Sequence, residues 1–299
     1  MAAYEELPAP RLTARTFSSF PVLTDDALFA RTGIRVAFTE RAGGVSEGPY
    51  AALNLGGQVG DDPAAVAANR ARVAAAFGVD ASELVVPLQV HGDELVAVRS
   101  AAPEAVHAAQ QRAEAGADGV VVDAPGVAAL LCFADCVPLI IASPTGRFAV
   151  VHAGWRGVMA HIAPKAVRAL AELDAAARGC EAAEAAASLN VYVGPHIRAC
   201  CFETSPDVHA GFTDAFGKGC ARDAAHIDLA AALGVDLVAV GVDRARIADA
   251  GACTSCEHGR WFSYRAAGGI CGRHGAFAVQ VGPDAAVADA ALSARTEEG

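Results

Sequence analysis

The chain has 299 residues, with 23 Lys and Arg against 34 Asp and Glu, and therefore a net charge of −11. Hydrophobic residues make up 54% and charged residues 19%, which excludes an extensively disordered chain and leaves ample material for a core. The acidic balance argues against nucleic acid as a partner, because nucleic-acid-binding proteins carry a basic patch or stripe.

The sequence shows no sign of export or membrane insertion. Residues 1–10 lack a basic region followed by an apolar run, which a secretory signal would require. The most apolar stretch, residues 126–142, is interrupted by Asp135 and Pro138, whereas a spanning helix needs about 20 apolar residues. The nine cysteines, an odd number, are typical of reduced thiols rather than of a disulfide scaffold. We therefore expect a cytoplasmic protein with no membrane contact and no obligate protein partner.

The first third of the chain predicts a leader, a strand and a helix. Residues 1–33 are expected to form a loosely structured leader, and residues 34–38 a strand. Asp62 is a good helix N-cap, Pro63 suits the first helical position and Gly78 suits the end of the helix. The face of this helix that should be buried carries Val66, Val73 and Phe77.

The rest of the chain alternates short apolar runs with helical patterns. The central runs predict strands at 119–122, 127–133, 137–142 and 148–151, and further strands are expected at 84–90, 189–193 and 277–281. Helices are expected at 103–115, at 156–178 with a start or kink at Pro164, from Ser205-Pro206 onward, and at 228–240, with a solvated connector at 181–187. This order predicts an α/β fold of the α+β type. We expect one compact domain at 34–283, with mixed sheets flanked by helices, followed by an acidic tail at 284–299.

Three potential metal ligands follow predicted strands. His91, Cys136 and His152 each come after an apolar run, and residues at strand ends in such folds converge on one site. Two His and one Cys suit zinc, and three protein ligands leave one position open for water, which is the catalytic pattern. The alternative is an ordinary buried thiol with two hydrogen-bonded imidazoles, because the sequence separations match no local metal motif.

A second set has more conventional spacing. Cys253 and Cys256 are followed by Cys271 and His274, a C-x2-C-x14-C-x2-H pattern close to structural zinc sites. The alternative is reduced thiols in a loop-rich region. We expect one zinc per chain and no second metal, because a chain of this size does not need a metal to stabilise its core.

Several motifs occur together in one order. They are TERAGGVS at 39–46, LNLG at 53–56, VGDDP at 59–63, QVHG at 89–92, ADCVP at 134–138, HAGWRG at 152–157, VGP at 193–195 and CTSC at 253–256. From about residue 34 to 281 the chain resembles the YfiH family, also called the laccase-domain or polyphenol-oxidase-like family, which includes the peptidoglycan editing factor group.

The resemblance implies a fold, a metal site and a set of substrates. It implies a single α/β domain that binds zinc through His91, Cys136 and His152. It also implies phosphorolysis of adenosine, inosine and methylthioadenosine, and hydrolytic deamination of adenosine, so that purine nucleoside and phosphate are the expected partners. The chain has Cys201-Phe202-Glu203 where the family often has a Tyr-Glu pair, which puts the rim of the substrate pocket in question.

Other residues receive hypothetical roles from this reading. For deamination, water activated by zinc attacks C6 of adenine, and Asp135 is the candidate proton carrier. Arg41 and Arg156 are candidate contacts to phosphate or base, because guanidinium groups match phosphate oxygens. Asn54 is a candidate hydrogen-bonding partner of the ribose or base.

Three alternatives remain open. A copper-dependent phenol oxidase, the older description of the family, is chemically weak because the chain has nine His and no H-x-H pair. A non-catalytic metal-stabilised binding protein is the second alternative. The third is a hydrolase that edits misincorporated amino acids in peptidoglycan precursors, with Cys136 as nucleophile and a nearby His as base.

Overall fold

The computed structural model describes residues 5–282. In chain order its strands and α-helices are β1 (Thr13–Phe17), β2 (Phe20–Thr24), α1 (Asp26–Thr32), β3 (Ile34–Thr39), α2 (Pro63–Ala76), β4 (Leu84–Val85), β5 (Leu95–Val98), α3 (Pro103–Glu114), β6 (Gly119–Val122), β7 (Ala128–Phe133), β8 (Val137–Ala142), β9 (Phe148–Ala153), α4 (Trp155–Met159), α5 (Ile162–Arg178), α6 (Ala182–Ala187), β10 (Asn190–Val193), α7 (Pro206–Phe216), α8 (Leu229–Ala239), β11 (Ile247–Asp249) and β12 (His274–Gln280). The acidic tail expected at 284–299 lies outside the described residues.

Two mixed six-stranded sheets form the body of the protein. Their strand orders are β1-β2-β3-β12-β7-β4 and β11-β10-β8-β9-β6-β5. The inner faces pack against each other, with Phe38 and Phe133 from the first sheet and Phe148 and Tyr192 from the second in one buried cluster. The predicted α/β fold with mixed sheets and flanking helices is confirmed.

Helices cover the outer faces of the sheets. The outer face of the second sheet packs against α4 to α8, with residues such as Leu170 and Leu233 in the buried cluster. On the first sheet, α2 contributes Val73 and Ala74 to a cluster that includes Phe277. The core therefore has three layers of apolar contacts, one between the sheets and one under each set of helices.

The N-terminal segment is part of the first sheet. β1 and β2 form an antiparallel hairpin, and β2 pairs with β3 at Val22↔Thr39 and Leu23↔Phe38. Phe20 and Val22 are fully buried. The prediction of a loosely structured leader is therefore wrong for residues 13–32, because β2 fills one core face while pairing with β3.

Several local predictions are confirmed. The Asp62 side chain accepts a hydrogen bond from the N–H of Ala64, and Pro63 begins α2. Gly78 follows the helix end with a φ of 70°, a backbone conformation that glycine adopts without steric cost. The helix face that carries Val66, Val73 and Phe77 is buried, as the periodicity predicts.

The structure corrects four element boundaries. The strand expected at 84–90 ends at Val85, and the following residues form a loop. The helix expected at 156–178 is divided into α4 and α5 at residues 160–161, because His161 adopts a φ of 56°. Pro164 lies in the first turn of α5, where a missing N–H costs nothing. The connector expected at 181–187 contains α6, and β9 continues to Ala153.

Within residues 5–282, none of the helices has the length and apolar character that a membrane crossing requires.

One buried hydrogen bond joins the N-terminal segment to the second sheet. The hydroxyl of Tyr192, in β10, donates to Asp25 Oδ2 at 2.8 Å, and Asp25 also caps α1 by accepting from the N–H groups of Ala27 and Leu28. Tyr192 is fully buried. The bond thus connects the start of α1 to a strand of the other sheet.

We predict that Tyr192→Phe lowers the free energy of unfolding by about 1–2 kcal/mol, because it removes a buried hydrogen bond to a charged group without changing the ring. Denaturant unfolding measures the effect. Tyr264→Phe is the matched control, since Tyr264 is 53% exposed, and its change should stay within about 0.5 kcal/mol. Equal effects of the two substitutions would contradict the interpretation.

Candidate metal centre

Three ligand atoms, one each from His91, Cys136 and His152, lie within 4.8 Å of one another. His91 lies in the loop between β4 and β5, Cys136 lies in the turn between β7 and β8, and His152 is in β9. The imidazole rings of His91 and His152 have centroids 4.8 Å apart and are nearly perpendicular. The structure therefore brings the three predicted ligands into one group that can hold a metal ion.

The Asp118 carboxylate organises this group. Its oxygens accept hydrogen bonds from the backbone N–H groups of His91 at 2.9 Å and Gly92 at 2.6 Å. Asp118 Oδ1 also lies 2.8 Å from Nδ1 of His152, while the Asp118 carbonyl accepts from the His152 backbone N–H at 2.7 Å. The bond at Nδ1 leaves Nε2 of His152 for a metal, which is the usual arrangement of a metal-binding histidine and its supporting carboxylate.

Asp118 was not among the predicted site residues, although the sequence contains a signal for it. Asp118 directly precedes the apolar run 119–122 and is fully buried. A charged residue in such a position requires partners. Which partners it finds depends on long-range contacts that the sequence does not reveal.

The electrostatics of the group favour a thiolate beside a cationic imidazole. Burial raises the pKa of the Cys136 thiol, but the neighbouring His152 and His91 outweigh burial and lower it to about 6. Burial lowers the pKa of His152, but Cys136 and Asp118 raise it to about 9. Burial also raises the pKa of Asp118, and its hydrogen bonds with His152 and Gly92 bring it below the usual value. Thiolate and neutral imidazole are the metal-binding forms, so a divalent cation would displace the imidazolium proton.

The backbone at Gly154 lies close to all three ligands. A Cβ atom at this position would lie 3.0 Å from Cδ2 of His91, 3.2 Å from Sγ of Cys136 and 3.7 Å from Cε1 of His152. Any other residue at position 154 would push these side chains out of their present positions, so glycine is required there. The donor types, the close approach of the backbone and the supporting carboxylate all fit a resident metal ion.

The metal group lies in the wall of a cavity of about 580 Å³. This volume is within the range of small-molecule sites. The cavity has aromatic and apolar walls, together with three guanidinium groups; the residues concerned are Trp155, Phe202, Leu229, Tyr264, Arg70, Arg265 and Arg273. A ligand with a flat apolar ring and an anionic partner would find complementary surfaces there.

None of these three arginines was predicted as a site residue. Arg70, on α2, donates through Nε to the carbonyl of Leu55 at 2.8 Å. Arg273, just before β12, donates to the carbonyl of Cys271 at 2.8 Å. No local sequence signal brings Arg70 to this cavity, because it approaches Arg273 only when α2 packs on the sheet that contains β12.

The predicted substrate contacts Arg41 and Asn54 are occupied by other parts of the chain. Arg41 donates to the carbonyls of Ala51 and His258, while its guanidinium lies over the Phe262 ring at 4.6 Å. Asn54 accepts from the N–H groups of Gly56 and Arg273 and donates to Asp61, among other contacts. The described residues that line the cavity do not include Arg41 or Asn54. Their contacts favour a role in shaping the loops, and substrate binding by them stays an untested prediction.

Asp135, the candidate proton carrier, and Arg156, the candidate contact to phosphate or base in the reaction, occupy different places. Asp135 lines the cavity, but its carboxylate accepts from Thr254 Oγ1 and from the N–H of Arg265, each at 2.7 Å. Arg156 is exposed on α4, and its guanidinium lies over the Trp155 ring at 4.5 Å, outside the described cavity lining. Both catalytic roles stay predictions, and the position of Asp135 favours its role more than that of Arg156.

The second predicted set does not converge. His274 is fully buried in β12 near the rings of Phe133 and Trp261, and burial lowers its pKa to about 3. Cys271 is buried, and its Sγ lies 3.4 Å from Nη1 of Arg273. The group that contains Cys253 and Cys256 is completed by two other cysteines, Cys200 and Cys201. The hypothesis of a C-x2-C-x14-C-x2-H site is therefore wrong.

We predict that Asp118→Asn weakens metal binding at this centre by about 10- to 100-fold, because it removes the charge that orients His152. Competition with a chromogenic chelator measures the affinity. Asp93→Asn is the matched control, since the Asp93 carboxylate lies near Lys165 rather than on a ligand. Unchanged affinity in the Asp118 variant would show that the carboxylate does not support the metal.

Three named relatives resemble the chain in sequence or structure. Adenosine deaminase RL5, from an unknown prokaryotic organism, is 33% identical over 81% of this chain and 92% of its own length. Purine nucleoside phosphorylase YlmD of Geobacillus stearothermophilus is 34% identical over 82% of this chain and 89% of its own. The crystal structure of YlmD superimposes with a TM-score of 0.76 at 29% identity, covering 91% of this chain and all of that one. The crystal structure of YfiH from Bacillus licheniformis superimposes with a TM-score of 0.75 at 27% identity, covering 89% of this chain and 98% of that one.

The family model described as multi-copper polyphenol oxidoreductase laccase matches residues 35–280. This range includes the three ligands, the supporting Asp118 and both sheets apart from the N-terminal hairpin. The chain therefore belongs to this laccase-like family, of which YlmD and YfiH are structural relatives.

Proposed function

We propose that the protein is a zinc-dependent purine nucleoside phosphorylase that also deaminates adenosine. One observation carries the proposal: the His91, Cys136 and His152 group opens into a cavity that also contains guanidinium groups and aromatic faces. Relatives named purine nucleoside phosphorylase and adenosine deaminase support the same substrates. Adenosine, inosine and methylthioadenosine are the nucleosides we propose.

Zinc suits the centre better than copper. A His-Cys-His set with one open position is the pattern of a catalytic zinc site. A mononuclear copper electron-transfer site has the same three ligands but adds a distant axial group, commonly Met. The chain has two Met, and the one within the described residues, Met159, does not line the cavity. A multicopper centre would need further groups of imidazoles, and the second potential metal group of residues 5–282 contains only cysteines.

A bound zinc ion supplies Lewis-acid activation of water or of a substrate oxygen. The protein residues do the remaining work. Asp118 holds the proton on Nδ1 of His152 and fixes the ring, and it anchors the loop that presents His91. Trp155 and Tyr264 offer ring faces to a purine. Asp135, next to a ligand in the sequence and in the cavity wall, is the candidate that carries a proton.

Arg70 and Arg273 are the proposed phosphate contacts. Both line the cavity, and each is fixed by a backbone carbonyl, so little side-chain freedom is lost on binding. Guanidinium groups form charge-assisted hydrogen bonds to phosphate oxygens. A phosphate held there lies in the same cavity as the metal group, which the attack of phosphate on C1′ of the ribose requires.

A thiol hydrolase acting on peptidoglycan precursors is the second candidate. Cys136, His152 and Asp118 stand in the order of a nucleophile, a base and the carboxylate that orients the base. A thiol nucleophile would work without metal, whereas the zinc enzyme would not. The nine free cysteines, all within the described residues, fit the cytoplasmic location that we propose for either activity.

We predict that Cys136→Ala removes the zinc of this centre and abolishes turnover of adenosine while the protein stays folded, because the ligands are held by sheets that do not depend on the metal. Elemental analysis and circular dichroism measure the two properties. Cys132→Ala, a change in the same cavity wall outside the ligand group, is the control and should retain zinc. Hydrolysis of a peptidoglycan precursor that survives removal of the metal by a chelator, but is lost in Cys136→Ala, would favour the thiol hydrolase.

We predict that the products formed from adenosine depend on phosphate. With phosphate the enzyme should release adenine and ribose-1-phosphate, and without it inosine should dominate. Arg70→Met should raise the KM for phosphate by about 10- to 100-fold, because a charge-assisted hydrogen bond contributes about 1.5–3 kcal/mol. Arg70→Met should affect the deamination of adenosine less than it affects phosphorolysis, because deamination does not use phosphate.

Arg72→Met is the matched control for this experiment. Arg72 lies on the same helix and also donates to a backbone carbonyl, that of Gly43, but it does not line the cavity. Its KM for phosphate should match that of the parent. If the fully metallated enzyme forms neither adenine nor inosine, the nucleoside proposal fails.

A further inference from the structure

Four cysteines form a second cluster, separate from the metal centre described above. Cys200 and Cys201 lie in the loop between β10 and α7, and Cys253 and Cys256 lie in the segment between β11 and β12. The four Sγ atoms all lie within 4.8 Å of one another. We propose that this four-cysteine cluster binds a structural zinc ion that holds the two loops together.

The sulfur positions are close to those of a tetrahedral zinc site. Zinc–sulfur bonds of about 2.3 Å place the sulfur atoms of a tetrahedron roughly 3.8 Å apart. Sγ of Cys256 lies 3.6 Å from that of Cys200 and 3.5 Å from that of Cys201. Disulfides have sulfur atoms about 2.0 Å apart, and a single bond would use only two of the four thiols. An all-sulfur tetrahedral set is characteristic of zinc or iron.

A backbone group supports one of the sulfur atoms. The N–H of Arg198 donates to Sγ of Cys253 at 3.5 Å. Such N–H···S bonds orient thiolate ligands and disperse their negative charge.

Four protein ligands leave no position for water, so the site is structural rather than catalytic. Its position suggests what it stabilises. A β-bridge joins His196 to Cys253, and the N–H of Thr254 donates to the carbonyl of His196 at 3.0 Å. Arg265 donates to the carbonyl of Cys201 at 2.8 Å.

The two loops that the cluster joins also form part of the cavity wall. One loop carries Ile197 and Phe202, and the other leads to Tyr264 and Arg265. Both also contact Asp135: Ile197 donates to its carbonyl, and Arg265 to its carboxylate. The metal would therefore fix the rim of the cavity and the residue next to Cys136, without contacting a substrate.

This inference replaces the expectation of one zinc per chain. Core size makes a metal unnecessary for the fold as a whole, but it does not fix the parts of the two loops where Cys200 and Cys256 are exposed. The residues considered from spacing also included only half of the cluster. The proposal does not depend on the activity of the protein.

Elemental analysis of the full chain, purified under reducing conditions and loaded with zinc, tests the proposal. We expect about two zinc ions per chain in the parent, one for each ligand group. The double variant Cys200→Ser, Cys256→Ser should lose about one zinc ion and keep the other, because both residues are exposed and belong only to the cluster. Cys136→Ser should also lose about one, and Cys180→Ser, outside both groups, should lose none.

Cobalt provides a readout that does not require the double variant to fold. In Cys136→Ser, cobalt bound by four thiolates should give the intense sulfur-to-metal charge-transfer bands of a tetrahedral thiolate site. The same bands should be absent when Cys200 and Cys256 are also replaced by Ser. A double variant that keeps all the zinc of the parent, whether one ion or two, would overturn the proposal. Stoichiometric iron in place of zinc would overturn the choice of metal.

Discussion

The Asp118 carboxylate connects the two parts of the metal centre that come from different structural elements. It binds the backbone N–H groups of a loop that carries His91, and it holds the ring of His152 on β9. A buried carboxylate is stable only when hydrogen-bond donors surround it. Because the loop and the strand both supply donors to Asp118, their relative positions are fixed. The orientation of the His152 ring and the position of the His91 backbone follow from that constraint.

The remaining features of the site depend on the close packing of two sheets and their loops. The absence of a side chain at Gly154 lets the backbone approach all three ligands. The first sheet and α2 bring Arg70 and Arg273 to one side of the cavity, while loops from the second sheet bring Phe202. The cavity thus combines a soft metal-binding group, cationic side chains and aromatic faces, a combination that suits a purine nucleoside and phosphate together.

Much of the fold and part of the site could be predicted from local sequence signals. The runs 119–122 and 137–142 are strands with the predicted bounds, and two of the three predicted metal ligands, Cys136 and His152, lie at or near strand ends. The third, His91, lies in the loop between β4 and β5. Local signals could not predict the roles of Asp118 and Arg70, or the proximity of Cys200 to Cys256, because each depends on contacts between distant segments. The N-terminal hairpin was missed for the same reason, since its burial depends on pairing with β3. The spacing of Cys271 and His274 resembles that of a zinc site, but β12 directs His274 into the core, away from Cys253 and Cys256.

A crystal structure with a bound C-nucleoside analogue of inosine, whose carbon–carbon glycosidic bond resists phosphorolysis, tests the central claim most directly. Anomalous diffraction at the zinc edge would locate the metal in the same crystal. Our account predicts a zinc peak among the side chains of His91, Cys136 and His152, and the purine in the adjoining cavity with phosphate near Arg70. Zinc absent from this group, or an analogue bound elsewhere on the protein, would contradict the account.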